Sequence, residues 1–430
     1  MRREPGWRYA GLAIAFAAGL AWSLAGRLPP PDQHLPASLL PSPVDAVGIA
    51  PAALPSFEGR TLEVDGVVLE ERQEGGQLLW VQRGVPEDRI SWAREGWQLG
   101  AAVLQARLGL GPPQDPVPLY LFADQDAFRR VTSALTGLPI GAIAAFEGGR
   151  SYASGSRRGI YLQTETLTSA AQVARVVAHE MTHLAERDLL GRGRLPLWFS
   201  EGLAEYVSQQ AMATVDAAAA ARRRWRRAAL VASAWHQGHW RPLAALTTEP
   251  QWREAVSDGA HWLAYAQALL ATEWLVARAG EPALARLLAE MGHGATFEAA
   301  LQTAMGLSPA GLEAALSTDQ RAQLLARYPV GVHVWPQAGP PGTQFQFAAV
   351  GLPAGEELTK QFVRDDGYHA RSSGGPSTVD RFGAAFWTFQ TRPEGPRATW
   401  TLTVEGSQGT RATVAFYVEP PLSDAAPWHQ

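Results

Sequence analysis

Cysteine is absent from all 430 residues. That absence excludes disulfide frameworks, thiol nucleophiles, zinc ribbons and cysteine-held iron–sulfur clusters together. It leaves the compartment open, because an exported chain can fold without disulfides. Lysine is nearly absent, since Lys360 is the single lysine among 37 basic residues. There is also no strong surplus of charge: the formal net charge is -4 and the pI about 6.2. Such a balance argues against a nucleic-acid-binding chain. Charged residues make up 18% of the chain against 46% hydrophobic, so disorder throughout is excluded. No internal repeat is visible. What is plentiful is Gly (42), Pro (31) and Trp (16), which points to loops and β-structure beside helices. At about 100–200 residues per domain, the length allows two or three domains.

One long uncharged apolar run stands out, the 17 residues Tyr9–Ala25, preceded by Arg2, Arg3 and Arg8. A basic flank before an apolar stretch is the layout of a secretory signal or an anchor. The run is short for a spanning helix, which needs about 20 residues. Ser23-Leu24-Ala25 offers the small residues that a signal peptidase prefers. Residues 1–26 are therefore expected to be a signal peptide or N-terminal membrane anchor, with the remainder exported. The chain would then be secreted, or held at the cell surface by a retained segment. Residues 27–56 carry eight prolines from Pro29 to Pro55 and read as an extended linker.

Leu62–Leu69 and Gln77–Gln82 alternate apolar and polar around Gly75-Gly76, a hairpin pattern. Glu87–Leu108 has helical periodicity, Val117–Phe122 reads as a strand, and Asp124 opens a helix. Gly141–Phe146 and Gly159–Leu162 read as further short strands. From Ser169 to about Leu325 the pattern is almost wholly helical and rich in alanine. After Tyr328 it switches to period two, through Phe345/Phe347, Phe362, Trp387/Phe389, Trp400/Leu402/Val404 and Val414/Phe416/Val418. That is the signature of a β-sandwich.

The chemistry is concentrated in His179-Glu180-Met181-Thr182-His183, an HExxH motif. Ser169 and Gln172 form a capping box that opens its helix. Residues four apart on a helix share a face, so the two imidazoles can converge on one metal ion. Zinc–nitrogen distances would be about 2.0–2.1 Å. Glu180 sits close enough to reach a metal-bound water without ligating the metal. Two histidines leave the shell incomplete. Downstream runs Leu195-Pro-Leu-Trp-Phe-Ser-Glu-Gly-Leu-Ala-Glu-Tyr206, with Pro196 suited to the first turn of a second helix. Seventeen residues separate His183 from Glu201, room for one helix to end and another to return. A Glu there can complete a His₂Glu site with an open water position. Glu205, on the same face, can accept the free ring N–H of a ligand histidine. The lack of cysteine excludes deformylase-like sites. Glu186 and Leu189 stand where a metzincin needs Gly and His. The motif helix is too polar for an intramembrane protease. Elsewhere, Trp198 and Phe199 read as core, and His236 and His239 as loop residues. The run Arg222–Arg227 reads as a solvated helix face, with anionic lipid as the alternative contact.

These residues carry a family resemblance. HEMTH followed by LPLWFSEGLAEY resembles the gluzincin zinc metallopeptidases, most closely the peptidase MA-like domains, with the aminopeptidase N and thermolysin groups more distant. The resemblance is specific over Ser169–Tyr206 and extends from the Val117 strand to about Gly306. It implies an α+β zincin-like domain, a small sheet plus a helical lobe. It also implies one Zn²⁺ per chain held by His179, His183 and Glu201, the Glu of the W-x-x-E-G-x-A segment. A later helix is implied to supply a transition-state donor, and Tyr265 is the candidate, with His261 one turn earlier as its rival. The G-x-M-E-N segment, with which aminopeptidases hold a substrate amino group, is absent. The expected organisation is multi-domain. Residues 57–327 form the metallopeptidase domain, 328–420 an immunoglobulin-like β-sandwich, and 421–430 a tail.

The expected function is hydrolysis of peptide bonds in a peptide or protein substrate. Zinc lowers the pKa of its water to about 7. Glu180 takes the proton and returns it to the leaving amine. A strand within Phe146–Gln163 would pair with extended substrate. Two alternatives stand beside this: a catalytically inactive peptidase-like binding module, and a zinc hydrolase of a non-peptide amide.

Overall fold

The computed structural model describes residues 59–419, apart from 114–116, 144–147, 153–157, 192, 258–260 and 372–374. The expected signal or anchor, linker and tail lie outside the described residues. No helix among the described residues is long and apolar enough to cross a membrane. Among the described residues the architecture is mixed, with three sheets and many helices. It divides into two units. The described part of the first is 59–191 with 210–215; the second is 193–209 with 216–419.

The first unit is built on a six-stranded sheet. Its strands are β1 (Thr61–Val64), β2 (Val67–Glu74), β3 (Gln77–Gln82), β4 (Leu119–Phe122), β5 (Gly149–Tyr152) and β6 (Gly159–Gln163). Their order is β1-β2-β3-β4-β6-β5. The pairs β3–β4 and β4–β6 are parallel, and the edge strand β5 runs antiparallel to β6. Gly75 and Gly76 turn with φ of 58° and 82°, the doubly positive geometry that a two-residue hairpin demands. A second such turn, Asp65-Gly66, splits the expected Leu62–Leu69 strand in two. Of the expected strand at Gly141–Phe146, the first two residues lie in a 3₁₀ turn, Ile140–Ala142, and 144–146 lie outside the described residues.

The described helices of this unit include α1 (Glu87–Val103), α2 (Gln125–Thr136) and α3 (Ala170–Leu190). Asp124 caps α2 by accepting from the Ala127 N–H at 2.8 Å. Ser169 caps α3 likewise through the Gln172 N–H. The reciprocal half of the box is displaced by one residue, since Gln172 Oε1 accepts from the N–H and hydroxyl of Thr168. Glycine sets how closely α3 is approached. A Cβ on Gly96 or Gly100 of α1 would lie 3.0 Å or 3.2 Å from the Cα of Ala174 or Ala178. A Cβ on Gly149 of β5 would lie 2.5 Å from Val176 Cγ1. The motif helix is thus clasped tightly by α1 and by the sheet edge.

The second unit contains α4 (Leu197–Val215, through Gln209), α5 (Ala217–His236), α6 (Glu249–Ser257), α7 (His261–Ala279), α8 (Glu281–Gly292), α9 (Phe297–Met305), α10 (Pro309–Ala315) and α11 (Arg321–Arg327). Two sheets follow. One is β13-β9-β7, formed by Ala385–Gln390, Gln344–Val350 and Gly331–Trp335. The other centres on β10 (Glu357–Arg364), β14 (Ala398–Gly406) and β15 (Arg411–Val418), with the short strands β8 (Ala338–Gly339), β11 (His369–Arg371) and β12 (Ser377–Thr378) at its margins. Phe345, Phe347, Phe362, Trp400, Leu402 and Phe416 fill one shared core between them. The expected period-two positions therefore do face inward. The β part is also fastened to the helices. Ala348, Val350 and Phe382 share a core with Trp225, Val231 and Leu270. Ser233 Oγ donates to the Phe382 carbonyl at 2.8 Å and accepts from the Gly351 N–H at 2.9 Å.

Candidate metal centre

The motif helix places its residues as i,i+4 geometry requires. His179 and Glu180 are buried and His183 is partly so. Their two Nε2 atoms lie 3.2 Å apart, with the rings nearly perpendicular at 81°. Two nitrogens bound tetrahedrally at 2.0–2.1 Å would sit about 3.3 Å apart. A ligand oxygen or nitrogen from each of His179, His183 and Glu201 lies within 4.8 Å of the other two. Two imidazoles and one carboxylate are a donor set suited to zinc and leave a coordination position open. The residues therefore fit a divalent metal.

Glu180 is wholly buried, and its two oxygens differ. Oε2 accepts from the Ser151 N–H at 2.8 Å and from the Ser151 hydroxyl at 2.9 Å. Oε1 is buried without a hydrogen-bond partner among the described residues. An open carboxylate oxygen beside two metal-type imidazoles is what a general base needs. His183 Nδ1 lies 3.6 Å from Glu186 Oε2, one turn further along α3. A carboxylate at that distance favours a proton on Nδ1, the tautomer in which Nε2 can ligate. Glu186 had a sequence signal in its i+3 spacing; Ser151 had none, because its position depends on strand register.

On α4, Glu201 and Glu205 are both buried, as their shared face predicts. Glu205 accepts two bonds from the Arg223 guanidinium, at 3.0 and 3.2 Å, and another from Arg227. Gly202 lets α4 seat on α7: a Cβ there would overlap the Ala268 carbonyl oxygen and Thr272 Oγ1. The E-G pair thus joins a candidate ligand to the glycine that brings its helix in. Trp198 and Phe199 are core: Trp198 packs edge-on with Phe199 and Phe297, and the Phe199 and Phe297 rings are tilted against each other. Tyr265 is fully buried on α7, its ring 5.1 Å from and perpendicular to Trp252. The side chain of His261 lies outside the described residues.

The arginine run is not a solvated face. Arg223, Arg226 and Arg227 are buried. Arg224 pairs with Glu273 at 2.8 Å, which raises its pKa. Arg226 lies over the Phe386 ring at 4.3 Å, and burial pulls its pKa down to about 8, against the attraction of Asp380. The run is the socket for Glu205 and a seam to the β part.

No protein-family model and no curated protein matches the chain. Among solved structures, one similar chain is Legionella pneumophila aminopeptidase A in complex with aspartic acid. The TM-score is 0.31 and the identity 14%, over 76% of this chain and 36% of that one. This chain thus spans about a third of that protein's length, and its function has to be read from its own residues.

Proposed function

We propose that the chain is an exported zinc-dependent metallopeptidase of gluzincin type, hydrolysing peptide bonds. His179, His183 and Glu201 would hold the ion. The reading also keeps a zincin-like catalytic half, an immunoglobulin-like sandwich as an accessory part, and residues 1–26 as signal or anchor. The observation that carries it is the convergence of those three ligand groups within 4.8 Å, with the open oxygen of Glu180 on the same helix. A zinc ion held there would bring the pKa of a bound water to about 7 and polarise a carbonyl. Glu180 Oε1 takes a proton as water attacks, then returns it to the leaving nitrogen. Tyr265 is our candidate donor to the developing oxyanion. Glu205 is our candidate to accept the free ring N–H of a ligand histidine, in addition to its bonds from Arg223 and Arg227.

A broad peptide library digested with and without chelator, read by mass spectrometry, tests this beside elemental analysis. We expect about one zinc per chain, lost on chelation together with cleavage. Glu180→Gln should lower cleavage by about 10²–10⁴-fold while zinc content stays the same. Zinc without peptide cleavage would favour the binding module or the non-peptide hydrolase. A Glu180→Gln protein as active as wild type would overturn the assignment.

A further inference from the structure

We propose that Ser151 is a positioning residue that selects which oxygen of Glu180 carries the proton; this rests on the reading of Glu180 as general base. The argument begins with register. In an antiparallel pair, residues alternate between bonding to the neighbouring strand and pointing away from it. The Gln163 N–H donates to the Gly148 carbonyl at 2.9 Å. The alternation then turns Arg150 and Tyr152 toward β6, opposite Tyr161 and Gly159, and turns Gly149 and Ser151 off the sheet edge. An outward N–H on an edge strand is an unclaimed donor. Here it is claimed by a carboxylate.

Gly149 explains how the edge comes close enough. Its missing Cβ lets β5 lie against Val176, one helical turn before Glu180 on the same face of α3. Ser151, two residues along the strand, shares the outward side with Gly149. Its N–H and its hydroxyl then reach a single oxygen, Glu180 Oε2. The two donors also limit rotation of the carboxylate, whose terminal torsion is otherwise broad.

The chemical consequence is asymmetry. Oε2 already receives two hydrogens. Oε1 is buried and receives none among the described residues. The proton leaving the attacking water therefore forms its new bond to Oε1. That Oε1–H bond later breaks as the proton passes to the leaving nitrogen, and the carboxylate is restored. Ser151 touches neither substrate nor reacting atoms in this scheme; it acts through Glu180.

The test uses the full chain as wild type, Ser151→Ala, Ser151→Thr, Glu180→Ala and the double Ser151→Ala/Glu180→Ala. The substrate probe is a pool of quenched fluorescent peptides. Zinc content and the melting of metal-stripped protein are measured alongside. Ser151→Ala removes the hydroxyl and leaves the N–H, so kcat should fall about tenfold, the worth of one hydrogen bond to a charged group. KM should stay within about twofold, because uniform binding is untouched. Ser151→Thr restores the hydroxyl and should recover kcat to within about threefold of wild type. The melting loss from Ser151→Ala should shrink by at least about half once Glu180 is alanine, as contacting residues are non-additive. Zinc content should not change in the Ser151 variants. Unchanged kcat in Ser151→Ala of an active wild type would overturn the proposal, as would equal melting losses in both backgrounds. A wild type that holds no zinc and cleaves nothing overturns the reading of the site and Ser151's catalytic role with it. The melting cycle would still show separately whether the contact exists.

Discussion

Two buried glutamates, Glu180 on α3 and Glu205 on α4, are secured in opposite ways. Glu180 is held by neutral donors, one N–H and one hydroxyl, both on one oxygen. Glu205 is held by two guanidiniums that engage both of its oxygens. Burying a carboxylate is costly unless it is paired or hydrogen-bonded. Glu205 meets that cost with opposite charge and becomes part of the framework. Glu180 meets it only halfway and keeps an oxygen open for chemistry. On the proposed reading, what separates the working acid from the structural one is not burial, which they share, but the charge of the groups that hold them and the oxygen that Glu180 keeps without a partner among the described residues.

The largest effect that can break this contrast is expected at Glu205. Glu205→Gln keeps the volume, removes the charge and turns an NH₂ donor toward guanidinium N–H groups. Breaking one side of a buried ion pair costs about 3–5 kcal/mol, since the arginines are left buried with their charge uncompensated. We expect a large drop in the denaturant midpoint, or failure to accumulate as folded protein. A Glu205→Gln protein within about 1 kcal/mol of wild type by urea unfolding would mean that Glu205 is no framework residue.

A middle-sized effect sharpens the comparison through glycine, which seats both helices. Gly202→Ala would drive a Cβ into the Ala268 carbonyl oxygen and Thr272 Oγ1. The carbonyl is backbone and cannot rotate aside, so α4 must move, at about 1–3 kcal/mol. Gly149→Ala meets mainly side-chain ends, Val176 Cγ1 at 2.5 Å and Leu162 Cδ2 at 2.9 Å. Trimming Val176 to alanine should therefore rescue much of the Gly149→Ala loss. Trimming Thr272 should rescue little of the Gly202→Ala loss. Melting temperatures of the two single and two double variants decide this, and equal rescue at both sites would refute it.

The same division runs through what could be read from sequence. Local rules carried far: i,i+4 spacing faced His179 and His183 together, and Gly75-Gly76 marked its hairpin. Spacing plus the aromatic segment singled out Glu201, which the structure brings to both histidines. Asp65-Gly66 carried an equally plain turn signal inside an otherwise regular alternation, and the alternation masked it. Ser151 was illegible because its contact with Glu180 depends on the register of an edge strand, β5, which the sequence pattern did not mark. The arginine run was misread for a related reason. Charge along one helix shows no partner when the partners, Glu205 and Glu273, sit on other helices. Contacts within about one turn or one hairpin are written locally; those between elements depend on packing that a single sequence does not display.

The smallest effect is expected from the identical substitution at Glu180. Glu180→Gln keeps a carbonyl oxygen, which can go on accepting from the N–H and hydroxyl of Ser151. The amide NH₂ then occupies the place of Oε1, where no donor among the described residues opposes it. The change also removes a buried negative charge that only neutral donors compensate, a relief that offsets the weaker hydrogen bonds. We expect metal-stripped Glu180→Gln to unfold within about 1 kcal/mol of metal-stripped wild type, because the amide NH₂ replaces an oxygen that already lacked a partner among the described residues and so no existing bond is lost. Cleavage should nevertheless collapse. One chemical change would thus be nearly silent for stability at the carboxylate held by neutral donors and severe at the one held by arginines. Equal stability losses at Glu180 and Glu205 in urea unfolding would erase the distinction between them.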